Sequence, residues 1–128
     1  MKLPPQIALV FEVDGRVLGF KLKHIGTELV QDLKVTFNRP VTGTKYQVGQ
    51  RMLHKRIDRL SLFTSRMFMY PEQEFEGFVN DFRNYIERKQ PLKFDTLIEY
   101  TTHSAGKQQY KLEHKLHIWL DLPQVRKT

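Results

Sequence analysis

KHIGTELVQDLKVTF, residues 23–37, holds two strand-like runs joined through a glycine. On its C-terminal side Leu33, Val35 and Phe37 alternate with Asp32, Lys34 and Thr36, the period that puts one face of a strand in a core and the other in water. On its N-terminal side the joint closes VLGFKLKH, where Leu18, Phe20 and Leu22 alternate with Gly19, Lys21 and Lys23. Further back, QIALVFEV (6–13) is an apolar run followed by Asp14-Gly15, a dipeptide that favours a tight hairpin turn with positive φ. Three strands so closely connected are expected to pair antiparallel. Gly26 is expected to let the chain turn out of one strand into the next, and His24 to hydrogen-bond the backbone of that turn.

Downstream, residues 40–55 read as a loop around Gly43 and Gly49, with a short strand near Lys45 to Val48. RIDRLSLF (56–63) offers Ile57, Leu60 and Leu62 to a strand, and Pro71 marks a turn or an edge before the next one. The period then changes. Phe78, Phe82, Tyr85 and Ile86 fall at i, i+4, i+7 and i+8, predicting an amphipathic helix around 78–89 that Pro91 closes. KFDTLIEYTT (93–102) and QYKLEHKLHIWLDL (109–122) alternate again across the turn HSAGK, with the second run expected to stay extended through Leu120. The expected architecture is mainly β: an antiparallel β-sandwich of about seven strands with one inserted helix, a single domain over residues 1–128, with a barrel as the alternative.

Composition narrows the function classes. With 40 % hydrophobic and 27 % charged residues, the 128-residue chain has globular composition and enough length for one real core. It has no cysteine, which excludes disulfides, thiolate zinc sites and a catalytic thiol. Its apolar runs are far shorter than the ~20 residues a membrane-spanning helix needs, and no signal-peptide core follows Met1 and Lys2. On that ground a cytoplasmic location is slightly favoured, with the compartment otherwise open. The net charge of +7 suits nucleic acid, an acidic protein, an anionic surface or plain solubility. Lys and Arg run along nearly the whole chain, with a modest concentration at Arg51, Lys55, Arg56, Arg59 and Arg66.

The stretch VLGFKLKHIGTELVQDLKVTF resembles the strand, N-x-G-x-x-x-A-x-N-V, strand element of bacterial immunoglobulin-like β-sandwich modules. The match lies at Gly26, Val30 and Leu33-Lys34-Val35; His24 stands where Asn is usual and Asp32 where Asn is common. TLIEYTTHSAGKQQYKLEHKLHIWLDL looks like the closing hairpin of the same modules, with a tyrosine on each strand. YPEQEF (70–75) looks like the turn before their middle strand. The resemblance covers the first 37 and last 35 or so residues. It implies a fold, an uncharacterised and often membrane-associated setting beside an anchored protein, and no catalytic residues; fold alone supplies no function.

No catalytic, cofactor or metal site is assigned. G-x-S-x-G, phosphate-loop and H-E-x-x-H patterns are missing. His114 and His117 are three apart, which on a strand sends their rings to opposite faces. Glu72, Glu74 and Glu76 alternate on one face, expected to be a wet one. Trp119 is expected on the outward set of the last strand with Lys115 and His117, a contact anchor for a protein partner or a second copy of the chain. The alternative site is the basic run Arg51, Lys55, Arg56, Arg59 and Arg66, interleaved with Met and aromatic residues as nucleic-acid binding requires. The expected function is a non-catalytic interaction module without cofactor or small-molecule ligand. It would bind protein or self-associate; the alternative is a basic nucleic-acid or anionic-surface binder.

Overall fold

The computed structural model describes residues 4–122 and contains nine strands within them. β1 (Ile7–Asp14) and β2 (Val17–His24) form a hairpin turned at Gly15, whose φ of 65° explains the glycine. Their register sets Phe11 opposite Phe20 and Leu9 opposite Leu22, so the apolar alternation of both strands faces the same way. β7 (Glu74–Asp81) pairs with the other edge of β2, completing a three-stranded antiparallel sheet, β1-β2-β7. β3 (Val30–Phe37), β6 (Met67–Met69), β8 (Lys93–Thr102) and β9 (Gly106–Lys115) form the second sheet, in the order β6-β3-β8-β9 and also antiparallel.

The two sheets bury their apolar faces against one another. Phe11 of β1 meets Phe94 of β8 edge-on at 5.1 Å between ring centroids and His114 of β9 at the same distance. Ile7, Leu9, Leu18, Phe20 and Leu22 join Val30, Leu33, Val35, Ile98 and Tyr100 in one shared core. Tyrosine hydroxyls tie the sheets where β1 and β9 run side by side. Tyr110 accepts from Ile7 N–H at 3.1 Å and donates to the Ile7 carbonyl, while Tyr100 accepts from Gln6 N–H at 3.0 Å. The edge of β1 thus has side-chain partners in place of a strand. Because no backbone pairing joins the two sheets among the described residues, they do not close into a barrel.

Four expectations change. Residues 40–55 carry a full hairpin, β4 (Thr42–Val48) and β5 (Arg51–Arg56). RIDRLSLF is a 3-10 turn, Ile57–Arg59, followed by the single helical turn α1, Ser61–Thr64. Ile57, Leu60 and Phe63 recur every third residue, a helical spacing, and Phe63 wedges between Phe20 of one sheet and Phe37 of the other at 5.1 and 5.3 Å. The helix expected at 78–89 shrinks to α2, Phe82–Glu87, because Phe78, Asn80 and Asp81 pair with β2 as strand around a bulge at Val79. The last strand stops at Lys115, where Leu116 N–H donates to the Leu92 carbonyl at 2.7 Å and the chain bends into a 3-10 turn, Leu116–Trp119. No described helix is long and apolar enough to cross a membrane.

Candidate anion-binding surface

The β4–β5 hairpin stands out from the sheets as an arm: every residue from Thr44 to Leu53 is exposed. Its root, by contrast, is clamped. Gly43 is buried against β7, where an added Cβ would lie 2.3 Å from the Val79 carbonyl oxygen, so only glycine lets β4 approach that strand. Arg88, at the end of α2, donates to Thr42 Oγ1 at 2.7 Å and to the Thr42 and Gly43 carbonyls at 3.1 Å. Burial there holds the Arg88 guanidinium below its ordinary range. Thr42 N–H donates to Gln90 Oε1 at 2.9 Å, and His54 Nδ1 lies 3.0 Å from the Gly43 carbonyl. A rigid root thus carries a solvated ribbon.

The charge on that ribbon is one-sided. Between Val41 and Ile57 lie Lys45, Arg51, Lys55 and Arg56 and no Asp or Glu. Residues 33–71 contain eight of the 21 Lys and Arg but only one of the 14 Asp and Glu, namely Asp58. The other 13 cations face 13 anions, so the whole excess of +7 resides in this stretch. Counting cations along the chain misses this; what marks the segment is where the acids are missing.

A cleft of ≈ 670 Å³ opens at the arm's root, lined by Tyr46, Lys55, Arg56, Arg59, Glu76 and Phe78 among others. The structure therefore brings three of the sequence-predicted cations together with two exposed aromatic rings that the sequence reading did not select. Lys55 Nζ sits 5.2 Å from the centre of the Tyr46 ring. Arg56 is already partnered by Asp58 through bonds of 2.9 and 2.7 Å. Burial pushes the Asp58 carboxyl up, but the Arg56 fork and the Val41 N–H outweigh it and leave it below its usual range. Lys45, Arg51, Lys55 and Arg59 have no ion pair among the described residues, and all four are open to a partner. Arg51 lies at the arm's tip opposite Val48. Arg66 is elsewhere, on a hollow shared with Asp32, Glu99 and Lys107.

The leading predicted site, expected on the outward face of the last strand, is split between that strand and the turn after it. Lys115 ends β9 exposed, 3.9 Å from Glu113, whereas His117 and Trp119 belong to the following 3-10 turn and are half-buried. Trp119 packs against the core and lines a ≈ 300 Å³ hollow with Arg16, Phe82, Ile86 and Leu120. His24 does what its place in the joint suggested: Nδ1 accepts from Gly26 N–H at 3.1 Å and Nε2 donates to the Glu28 carbonyl. Glu74 and Glu76 are exposed on β7 as expected, and Lys21 reaches Glu76 at 3.7 Å and Glu12 at 3.3 Å. Glu72 instead sits in the preceding turn with φ 70°. Among the described residues no three His, Asp or Glu side chains gather to hold a metal ion. No family model, curated protein or solved structure matches the chain.

Proposed function

We propose that this chain is a non-catalytic interaction module on an immunoglobulin-like sandwich, and that it binds an anionic partner through the β4–β5 arm. The strand order supports the fold reading. Lettered in chain order with the arm set aside, β1, β2 and β7 correspond to strands A, B and E, and β6, β3, β8 and β9 to C′, C, F and G. The observation that carries the binding reading is the acid-free, exposed ribbon, which holds Lys45, Arg51, Lys55 and Arg56, four of the eight cations of the stretch 33–71 in which the whole excess of charge resides. A clamped root lowers the ordering cost of such a contact, and concentrated charge speeds encounter with an anionic partner.

Heparin-column retention tests it. At about 1 kcal/mol per cation near an anionic surface, Lys45→Glu/Arg51→Glu/Lys55→Glu should weaken binding by two orders of magnitude and elute at much lower salt. Lys107→Glu/Lys111→Glu/Lys115→Glu on β9 changes the net charge equally and should elute close to wild type. Equal loss in both triples would show retention by net charge alone and remove the arm from the reading.

A second reading, self-association at the Trp119 hollow, is favoured by the two half-exposed side chains beside it, Ile118 and Leu120, each 52 % exposed. Under it, sedimentation should show a concentration-dependent dimer that Ile118→Glu/Leu120→Glu abolishes. A wild-type chain that stays monomeric at high concentration excludes it.

A further inference from the structure

We infer that the anionic partner of the arm is a lipid surface, entered end-on by the arm's tip; this rests on the arm reading above. The tip is a two-residue turn, Gly49-Gln50, with Gly49 at φ 61°. Around it Val48, Met52, Leu53 and Tyr46 are 49, 57, 37 and 40 % exposed. Directly opposed residues of an antiparallel pair share a face. Tyr46 opposite Leu53 and Val48 opposite Arg51 therefore lie on one side of the ribbon, and Met52 opposite Gln47 on the other. Apolar side chains thus surround the tip on both faces.

That arrangement separates the possible occupants. A flat protein surface meets one face of a ribbon and leaves the other in water. Nucleic acid offers phosphates and flat base faces, which call for cations and aromatic rings and leave Val48, Met52 and Leu53 without a counterpart. A lipid interface accepts apolar groups from every side to a depth of ~5–10 Å. Lys45 and Lys55 stand four and five residues behind the turn, roughly 13–17 Å at ~3.3 Å per residue, from where their long side chains extend forward to the phosphates when the tip is buried. Arg51 reaches the same level by extending its stem back along the arm. The ribbon's outer edges keep unpaired backbone groups, so entry stops in the headgroup region, where water and phosphate satisfy them.

Co-sedimentation of the full chain with phosphatidylcholine vesicles, with and without phosphatidylglycerol, tests the inference beside a single-stranded oligonucleotide and the heparin column. Wild type should pellet only with the anionic vesicles. Val48→Ser/Met52→Ser/Leu53→Ser keeps every charge and alters only exposed positions; it should lose roughly tenfold in vesicle affinity with heparin retention unchanged. Met52→Trp should show a blue shift of its emission, measured against wild type to subtract Trp119, when anionic vesicles are added. Vesicle binding as tight in the tip triple as in wild type overturns the lipid assignment. So does tighter binding to the oligonucleotide than to the vesicles, with the arm reading left standing. A chain that binds neither heparin nor vesicles in a salt-sensitive way overturns both.

Discussion

His114 sits where β9 faces β1, 7 % exposed, with its ring against Phe11 and Phe94 and its Nε2 2.8 Å from Thr96 Oγ1. Burial among these rings penalises the imidazolium and lowers its pKa to about 4, against a smaller opposing pull from Asp95. Because the folded-state value lies below the ordinary 6.5, the unfolded chain takes up the proton first as pH falls. Stability tied to His114 is therefore intact above pH 6.5, declines between 6.5 and about 4, and amounts in full to roughly 3 kcal/mol. Urea midpoints at pH 7 and 4.5 check this: His114→Gln, which still bonds Thr96, should lose less stability on acidification than wild type. Parallel losses would assign acid lability to the carboxylates instead. At this scale the sequence was partly legible. His24 could be read as a turn ligand, but the reason for Gly26 could not. A Cβ there would lie 1.8 Å from Gln6 Oε1, which accepts the Thr27 and Glu28 N–H groups at 3.0 and 3.3 Å. Glycine is needed for that close approach across 20 residues of sequence, and no local pattern reveals it.

Elements with one buried face were the ones the sequence announced. β1, β2, β3 and β8 alternate because each lays a side on the core. In the arm only Lys45 to Val48 alternates, which allowed a short strand to be read there, whereas Arg51 to Arg56 show no period because neither face is covered, so their pairing into a hairpin went unseen. The run from Phe78 to Ile86 fits helical spacing throughout, yet strand β7 claims its first four residues, three of them paired with β2, and α2 starts only where that strand ends. Asp81 marks the boundary: its Oδ1 accepts Asn84 N–H at 3.1 Å, satisfying one of the free donors of the first turn. Asp81→Ala should cost about 1 kcal/mol and Asp81→Ser much less, read as shifts of the urea midpoint. Equal costs for the two would mean that the carboxylate's capping bond does not hold this junction.

Over the whole molecule, the proposed function places binding on residues that the core does not use. The buried core draws on both sheets, α1, α2 and the closing 3-10 turn, but takes nothing from the stretch between Val41 and Ile57. Gly43 and the Arg88 bonds fasten the arm to the body without making the body depend on it. Bridging Thr44 directly to His54 by a Gly-Gly turn would remove Lys45 and Arg51, taking the net charge from +7 to +5, and with them the exposed tip. Shortening an exposed loop changes closure entropy by well under 1 kcal/mol, so thermal unfolding should shift by no more than a few degrees. The same variant should lose most of its salt-sensitive retention on heparin, since the excess of +5 that survives, Lys34, Arg39, Lys55, Arg56, Arg59 and Arg66 less Asp58, lies outside the arm's exposed tip. A large drop in melting temperature would show that the ribbon belongs to the folding unit. Retained affinity in a stably folded variant would move the anion site to the root cleft between Lys55, Arg59 and Phe78.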